Sequence, residues 1–354
     1  MKRYRKTLLS VTTLIVVVAL AVAWHRFWPG PRRVHGGLFE LHKVLTDKTG
    51  VVWRTRFSPD GTLFVSASTD GTARVWKTDG TLFRTLQHPN GVTAADFSPD
   101  GRTVATSSYD GMLRIWKLED GALTRTLTQG ASTLWCLAYS PDGKTIASAG
   151  EDRVVSLWNV ADGMLLRTLA GHSLNIWAVA FSPDGKTLVS GSFDRTAILW
   201  NVADGSQLRV LAGHKQGLVA VNFSPDGTKI VSGSDDGTAR LWNAADGNPI
   251  AAFAGPYHVY AAEFSRDGRW LLIAGKDRPI LGEFLQNLFG DSAANRWVTA
   301  QLLDPASGVV LQTFAEHAND INGVSFSPDG QWIVTASEDR TIHLWRRKAA
   351  KAAS

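Results

Sequence analysis

Four times in this chain of 354 residues a histidine is followed, at fixed intervals, by a hydroxyl residue, an aspartate and a tryptophan. The first set is His88, Thr106, Asp110 and Trp116, and the second is His172, Ser190, Asp194 and Trp200. The third is His214, Ser232, Asp236 and Trp242, and the fourth is His317, Thr335, Asp339 and Trp345. Histidine, serine and aspartate are the residue types of a nucleophilic triad, in which the carboxylate orients the imidazole and the imidazole takes the hydroxyl proton. Four copies would mean four active sites. They favour a structural reading, in which each set satisfies buried polar groups through hydrogen bonds to a charged partner. Cys136 is the only cysteine, which excludes internal disulfides, cysteine-based zinc clusters and dithiol redox chemistry. Metal-ligand spacings, phosphate-binding glycine loops and HExxH are missing from the sequence, so no catalytic residue, cofactor or metal is expected.

These sets ride on a longer period. An aromatic-Ser-Pro-Asp-Gly block recurs at Phe57–Gly61, Phe97–Gly101, Tyr139–Gly143, Phe181–Gly185, Phe223–Gly227 and Phe326–Gly330. A seventh copy, Phe264–Gly268, has Arg266 in place of proline. The leading aromatics lie 40, 42, 42, 42, 41 and 62 residues apart, which gives seven units with an insertion in the sixth. Within a unit, a short apolar run such as Ala178–Phe181 precedes the Pro-Asp-Gly turn, where glycine supplies the positive φ. A second strand follows, then a turn carrying aspartate at 70, 110, 152, 194, 236, 277 or 339. A third strand ends on tryptophan at 76, 116, 158, 200, 242 or 345, and an Asp-Gly turn leads to a fourth, such as Leu165–Leu169. Each unit reads as a four-stranded antiparallel meander, and the fold class as all-β.

Gly171-His172, Gly213-His214 and Leu-Trp-Asn at 157–159, 199–201 and 241–243 complete a pattern that resembles the WD-repeat β-propeller family over residues 36–347. Asn stands where the family usually has Asp after the tryptophan. The resemblance implies a seven-bladed β-propeller of four-stranded antiparallel blades, and a hydrogen-bonded tetrad for each of the four sets, with the aspartate ordering turns. Stacking blades in a ring buries both faces of each sheet. It also explains fourteen tryptophans, six of them at one repeat position, since each can bury up to ~250 Å². Unit seven supplies only three strands, and Gly37–Leu45 matches the fourth-strand pattern of residues 80–86. That segment is expected to pair with Thr341–Trp345 and close the ring. Units one and three lack the histidine (Lys48 and Gly130 stand there). Unit six has Gly255, Ile273 and Leu303 for His, hydroxyl and Trp, and reads as the weakest blade.

The net charge of +5 belongs to the ends. Residues 1–33 hold seven basic groups and no acid, residues 346–354 four and no acid, and the rest of the chain 26 basic groups against 32 acidic. The body is mildly acidic, which argues against a nucleic-acid partner. Residues 1–30 read as a membrane anchor or a signal segment: a cationic start, then an uncharged run over 8–24, then Trp24, Phe27 and Trp28 at the interface and Pro29 and Pro31 to end the helix. Ala21-Val22-Ala23 offers a cleavage site. The aromatic girdle favours an uncleaved, single-pass transmembrane helix that leaves the propeller extracytoplasmic (periplasmic); cleavage would instead secrete it. Residues 31–35 are then a linker and 348–354 a basic tail.

Function is expected from the surface. In the family, the loops before the first strands and after the second gather on the narrow top of the ring. Trp53, Trp135, Trp177 and Tyr260 stand four residues before the leading aromatics, and Tyr109 and Phe193 just before the second-turn aspartates. These six aromatics would encircle the channel mouth and bind a protein or peptide; otherwise they turn inward between blades. Glu151, Asp235 and Glu338, with Asp320, would favour a basic or Arg-bearing peptide. The insertion, 279–298, joins this face as a docking loop or a lid, with one short helix around 284–289. Small-ligand or glycan recognition at the aromatic mouth, and an extracytoplasmic enzyme, are the alternatives to a membrane-tethered, non-catalytic scaffold. His25, His35 and Cys136 read as surface, linker and core.

Overall fold

The structure, a computed structural model, describes residues 37–46, 50–128, 130, 132–276 and 300–349. The predicted membrane segment, the whole insertion 279–298 (including the expected helix), Asp277, Lys48, His25 and His35 lie outside them. Among the described residues no helix is long and apolar enough to cross a membrane.

The described residues form 28 strands in seven separate four-stranded antiparallel sheets. Six blades are continuous in sequence, at 52–87, 92–127, 134–170, 176–212, 218–254 and 258–314. The seventh combines Ile321–Phe326, Trp332–Ser337 and Thr341–Arg347 with the N-terminal strand Phe39–Thr46. Each blade's innermost strand packs against that of the next, and the first packs against the seventh, so the ring is closed.

The recurring block builds the first turn in the same way each time. In blade four, Ser182 Oγ donates to Asp184 Oδ1 (2.6 Å), and the same carboxylate oxygen accepts the Lys186 N–H (3.0 Å). Gly185 sits at φ 70°, where a side chain would be strained. Proline is dispensable to this arrangement: Ser265 and Asp267 make the same bond in the copy with Arg266.

Seven apolar clusters fill the seven interfaces between neighbouring blades. The two inner strands of each blade are buried or partly buried at every position, whereas outer strands such as Leu165–Ala170 are exposed at all but one position. Blade six, expected to be weak, substitutes hydrocarbon for polar groups: Ile273 and Leu303 are buried with Val259 and Phe264. The closing strand is held at two points. Leu45 enters the interface with blade one. Phe39 packs edge-on to Trp270 (5.8 Å), while its backbone N–H and C=O are both bonded by the Gln312 amide, at 2.8 Å each.

Candidate functional site

Three of the four polar sets form one continuous chain of hydrogen bonds. In blade four, Trp200 Nε1–H donates to Ser190 Oγ (2.8 Å), Ser190 Oγ–H donates to His172 Nε2 (2.8 Å), and His172 Nδ1–H donates to Asp194 Oδ2 (2.7 Å). The carboxylate also accepts the Ser173 N–H (3.0 Å), the Thr196 N–H (3.0 Å) and the Thr196 hydroxyl (2.6 Å), which ties two loops together. Blade five repeats the chain: Trp242 Nε1–H donates to Ser232 Oγ (2.8 Å), Ser232 to His214 Nε2 (2.7 Å), and His214 Nδ1–H to Asp236 Oδ2 (2.9 Å). In blade seven a threonine takes the middle place. Trp345 Nε1–H donates to Thr335 Oγ1 (3.1 Å), Thr335 to His317 Nε2 (2.8 Å), and His317 Nδ1–H to Asp339 Oδ2 (2.9 Å). Burial alone would raise these carboxyls, but their bonds outweigh it: Asp194 and Asp339 lie well below the usual range and Asp236 falls to about 2.

A nucleophile needs an accessible oxygen. Ser190, Ser232 and Thr335 are fully buried, and each oxygen already accepts an indole N–H. Trp200, Trp242 and Trp345 are buried as well, packed in the interfaces between blades. Neither the hydroxyls nor the indoles are open to a ligand. The geometry stabilises turns and offers no reacting centre.

The fourth set, His88 with Thr106, Asp110 and Trp116, is a correction. Trp116 and His88 both reach Thr106 (2.9 and 2.8 Å), but His88 Nδ1–H donates to the Leu86 carbonyl (3.0 Å), and Asp110 pairs with Arg114 instead (2.7 Å). The cause is in the sequence. Where the complete sets have Ser173, Lys215 or Ala318 giving a backbone N–H to the aspartate, blade two has Pro89, which has none to give. The threonine that donates to the same carboxylate elsewhere is replaced by Met112. In blade three, where Gly130 stands for histidine, a cavity of about 90 Å³ opens among Ser148, Asp152 and Trp158, and burial raises the Asp152 carboxyl.

These environments set a pH dependence. Burial lowers the imidazoles of His88 to about 4 and His343 to about 3, and it also lowers His214. The unfolded chain therefore binds protons near pH ~6.5 that the fold refuses, so stability present above that pH is lost as it falls. The depressed aspartates add a second loss as the pH falls from ~4 towards the folded value near 2. Melting temperature is expected to decline in these two stages, and His343→Phe to shrink the first. A curve flat from pH 7 to 4 would contradict this.

His317, Asp339 and His343 form a group with ligand atoms near enough for a metal. The two rings stack at 3.6 Å, so their in-plane lone pairs run parallel instead of converging, and both His317 nitrogens are already bonded. The group reads as a tetrad extended by one ring.

On the top face, five of the six expected aromatics meet in an arc over blades one to four. Trp53 Nε1–H donates to Tyr109 Oη (2.9 Å), Tyr109 lies edge-on to Trp135 (5.4 Å), Trp135 stacks on Trp177 (4.3 Å, 13°), and Trp177 stacks on Phe193 (4.9 Å). The rings are partly exposed. They neither point fully outward nor disappear between blades. Tyr260 stands apart and stacks on His258 (5.8 Å). The acids lie elsewhere on the rim: Glu151 is exposed, Asp235 pairs with His258 (3.1 Å), Asp320 with Lys276 (3.7 Å), and Glu338 is partly buried.

Sequence reasoning passed over the channel beneath. At the third residue before each leading aromatic stand Arg54, Ala94, Cys136, Ala178, Ala220, Ala261 and Gly323. A single long side chain among six small ones has room to cross the channel. Arg54 does so, donating from Nη2 to the carbonyls of Trp177 (3.1 Å) and Val219 (3.4 Å) on the far wall. Comparing that column across units would have exposed it. Deeper, Arg56 pairs with Glu263, whose carboxyl burial raises.

Family models match in two groups. The "WD domain, G-beta repeat" model matches residues 39–77, 80–117 and 308–346, and the "IFT122 first beta-propeller" model residues 133–281. Among curated proteins, the chain is similar to human WD repeat-containing protein 37, at 33% identity over 23% of this chain and 15% of that one. It is also similar to the Target of rapamycin complex subunit wat1 of Schizosaccharomyces pombe, at 34% identity over 16% of this chain and 18% of that one. An uncharacterized WD repeat-containing protein of Synechocystis sp. matches at 30% identity, over 25% of this chain and 32% of that one. The matches thus span under a third of each relative's length.

Proposed function

The chain belongs to the WD-repeat β-propellers, and on that premise we propose that it is a non-catalytic scaffold, binding a protein or peptide partner on its top face. The observation that carries this reading is the stacked arc from Trp53 to Phe193, an aromatic surface left partly open at the channel mouth. Tryptophan and tyrosine in such settings are the residues that most often dominate binding energy. The consumption of the tetrad hydroxyls and imidazoles in structural bonds supports the absence of catalysis. One relative, the fission-yeast protein, is by name a complex subunit, which agrees with a role in assembly.

The uncharged run over residues 8–24 and the basic residues before it support a single-pass tether with the propeller extracytoplasmic. Affinity capture from membranes tests both parts. The wild-type chain is expected to recover a partner that Trp135→Ala/Trp177→Ala, folded equally well, loses at least tenfold. Equal recovery by both would refute the top-face assignment, and a C-terminus protected on the cytoplasmic side would refute the orientation.

A further inference from the structure

The channel mouth holds hydrogen-bond donors without acceptors. Arg54 meets no carboxylate among the described residues; Nη2 is bonded to two carbonyls, and Nε and Nη1 have no partner among those residues. The indole N–H groups of Trp135 and Trp177 are enclosed and also unpartnered. Tyr109 Oη accepts from Trp53 and retains its own proton to give. Buried donors left unmatched are costly, and a buried guanidinium without a counter-charge more so. Burial accordingly lowers the Arg54 pKa from its ordinary value.

The rim carries both signs. Two of the four acids that suggest a basic ligand, Asp235 and Asp320, already face His258 and Lys276, and Glu151 and Glu338 stand on the same rim. On the rim, Arg153, Arg195 and Arg340 are exposed in left-handed turns, at φ 65°, 74° and 67°, where blades one, two and five use Gly71, Gly111 and Gly237. Three arginines held in a conformation that favours glycine add positive charge around the mouth.

We infer that the channel mouth is a carboxylate-binding site, in which Arg54 receives an acidic group carried on an aromatic or apolar part of a peptide partner, beside the stacked rings of Trp135 and Trp177. The guanidinium fork suits a carboxylate bidentately, and the stacked rings provide a wall for the attached apolar group. The inference rests on the top-face reading above and reverses the sign of the ligand that the rim acids alone would suggest.

Titration of the full chain, labelled with ¹⁵N at the tryptophan indoles, tests it. The probes are hippurate, its methyl ester, acetate and benzyltrimethylammonium. Hippurate should shift the Trp135 and Trp177 indole resonances saturably, with the ester and acetate binding at least tenfold more weakly. Arg54→Met should abolish the shift, and Arg54→Lys should retain part of it. Should Arg54→Met fail to fold, hippurate against its ester in the wild-type chain decides alone. Equal binding of acid and ester, or an unchanged titration in folded Arg54→Met, would overturn the inference. Acetate as tight as hippurate would assign a free small anion in place of a peptide and overturn it too. Saturation by benzyltrimethylammonium instead would overturn the carboxylate assignment and leave the top-face reading intact. Hippurate binding alongside normal partner capture by Trp135→Ala/Trp177→Ala would uphold the site and refute that reading.

Discussion

Removal of residues 37–46 should lower the melting temperature of the propeller by about 10 °C or more, although none of them belongs to the first blade they precede. The strand they form is the outer edge of the seventh sheet, running antiparallel to Thr341–Arg347 from Phe39 opposite Arg347 to Thr46 opposite Thr341. Phe39 and Leu45 are its two buried side chains, each worth about 1.5–3 kcal/mol when taken from water. The Gln312 amide loses both of its partners with the strand. Trp270 and Phe314 lose the ring against which they pack, and the edge of Thr341–Arg347 becomes free to pair with other chains. Each kcal/mol moves the midpoint of a domain this large by about 2 °C. Phe39→Ala alone should reproduce a substantial part, about 3–5 kcal/mol. An unchanged melting curve after the deletion would refute closure by this strand.

Asp194→Ala should cost about 3 kcal/mol in urea unfolding. Asp110→Ala also removes the partner of a buried guanidinium. The two aspartates, although at the same repeat position, should therefore differ in their coupling to histidine, about 1 kcal/mol or more for Asp194 with His172 and near zero for Asp110 with His88. Asp194 accepts four bonds, and its loss leaves His172 Nδ1–H, the Ser173 N–H and the Thr196 donors without an acceptor in a largely buried site. Asp110 serves Arg114 and the Met112 N–H, while His88 donates to the Leu86 carbonyl and makes no hydrogen bond to Asp110. Equal coupling of the two aspartates to their histidines in double-mutant cycles would mean that the chain of bonds does not carry the difference. Labelling of Ser190, Ser232 or Thr335 by an active-site-directed phosphonate would contradict the structural role altogether.

The repeat made most of this fold legible. A turn block recurring every forty residues, with tryptophan at a constant offset, specifies four strands per unit, and a seventh unit short of one strand points to the Gly37–Leu45 segment that supplies it. Residue types at corresponding positions were not sufficient for the tetrads. Offsets alone place Ser232 and Trp242 around His214, and Thr335 beside His317, and those bonds form. Blade two has all four residue types and still does not form the set, because the deciding atom is a backbone N–H that Pro89 lacks, and an offset count of side chains passes over backbone donors. Arg54 illustrates the opposite case. Its reach across the channel depends on six small residues contributed by six other blades, a relation visible only when positions are compared down the repeat rather than along the chain. The Gln312 clamp on Phe39 joins residues 273 apart, and no local pattern announces it. The aromatic arc was foreseen as a set of rings, but its stacking order depends on side-chain directions that the spacing leaves open.

Everything rests on a ring closed by its own N-terminal strand, and amide hydrogen exchange of the full chain, read by mass spectrometry, tests that directly. In peptides covering Phe39–Thr46, the amides that pair with Thr341–Arg347 should exchange as slowly as their partners, through the same opening that exposes the seventh blade as a whole, while the alternate amides on the open edge exchange freely. Exchange of residues 39–46 at the rate of an unstructured segment, with the rest of the blade still protected, would contradict the account.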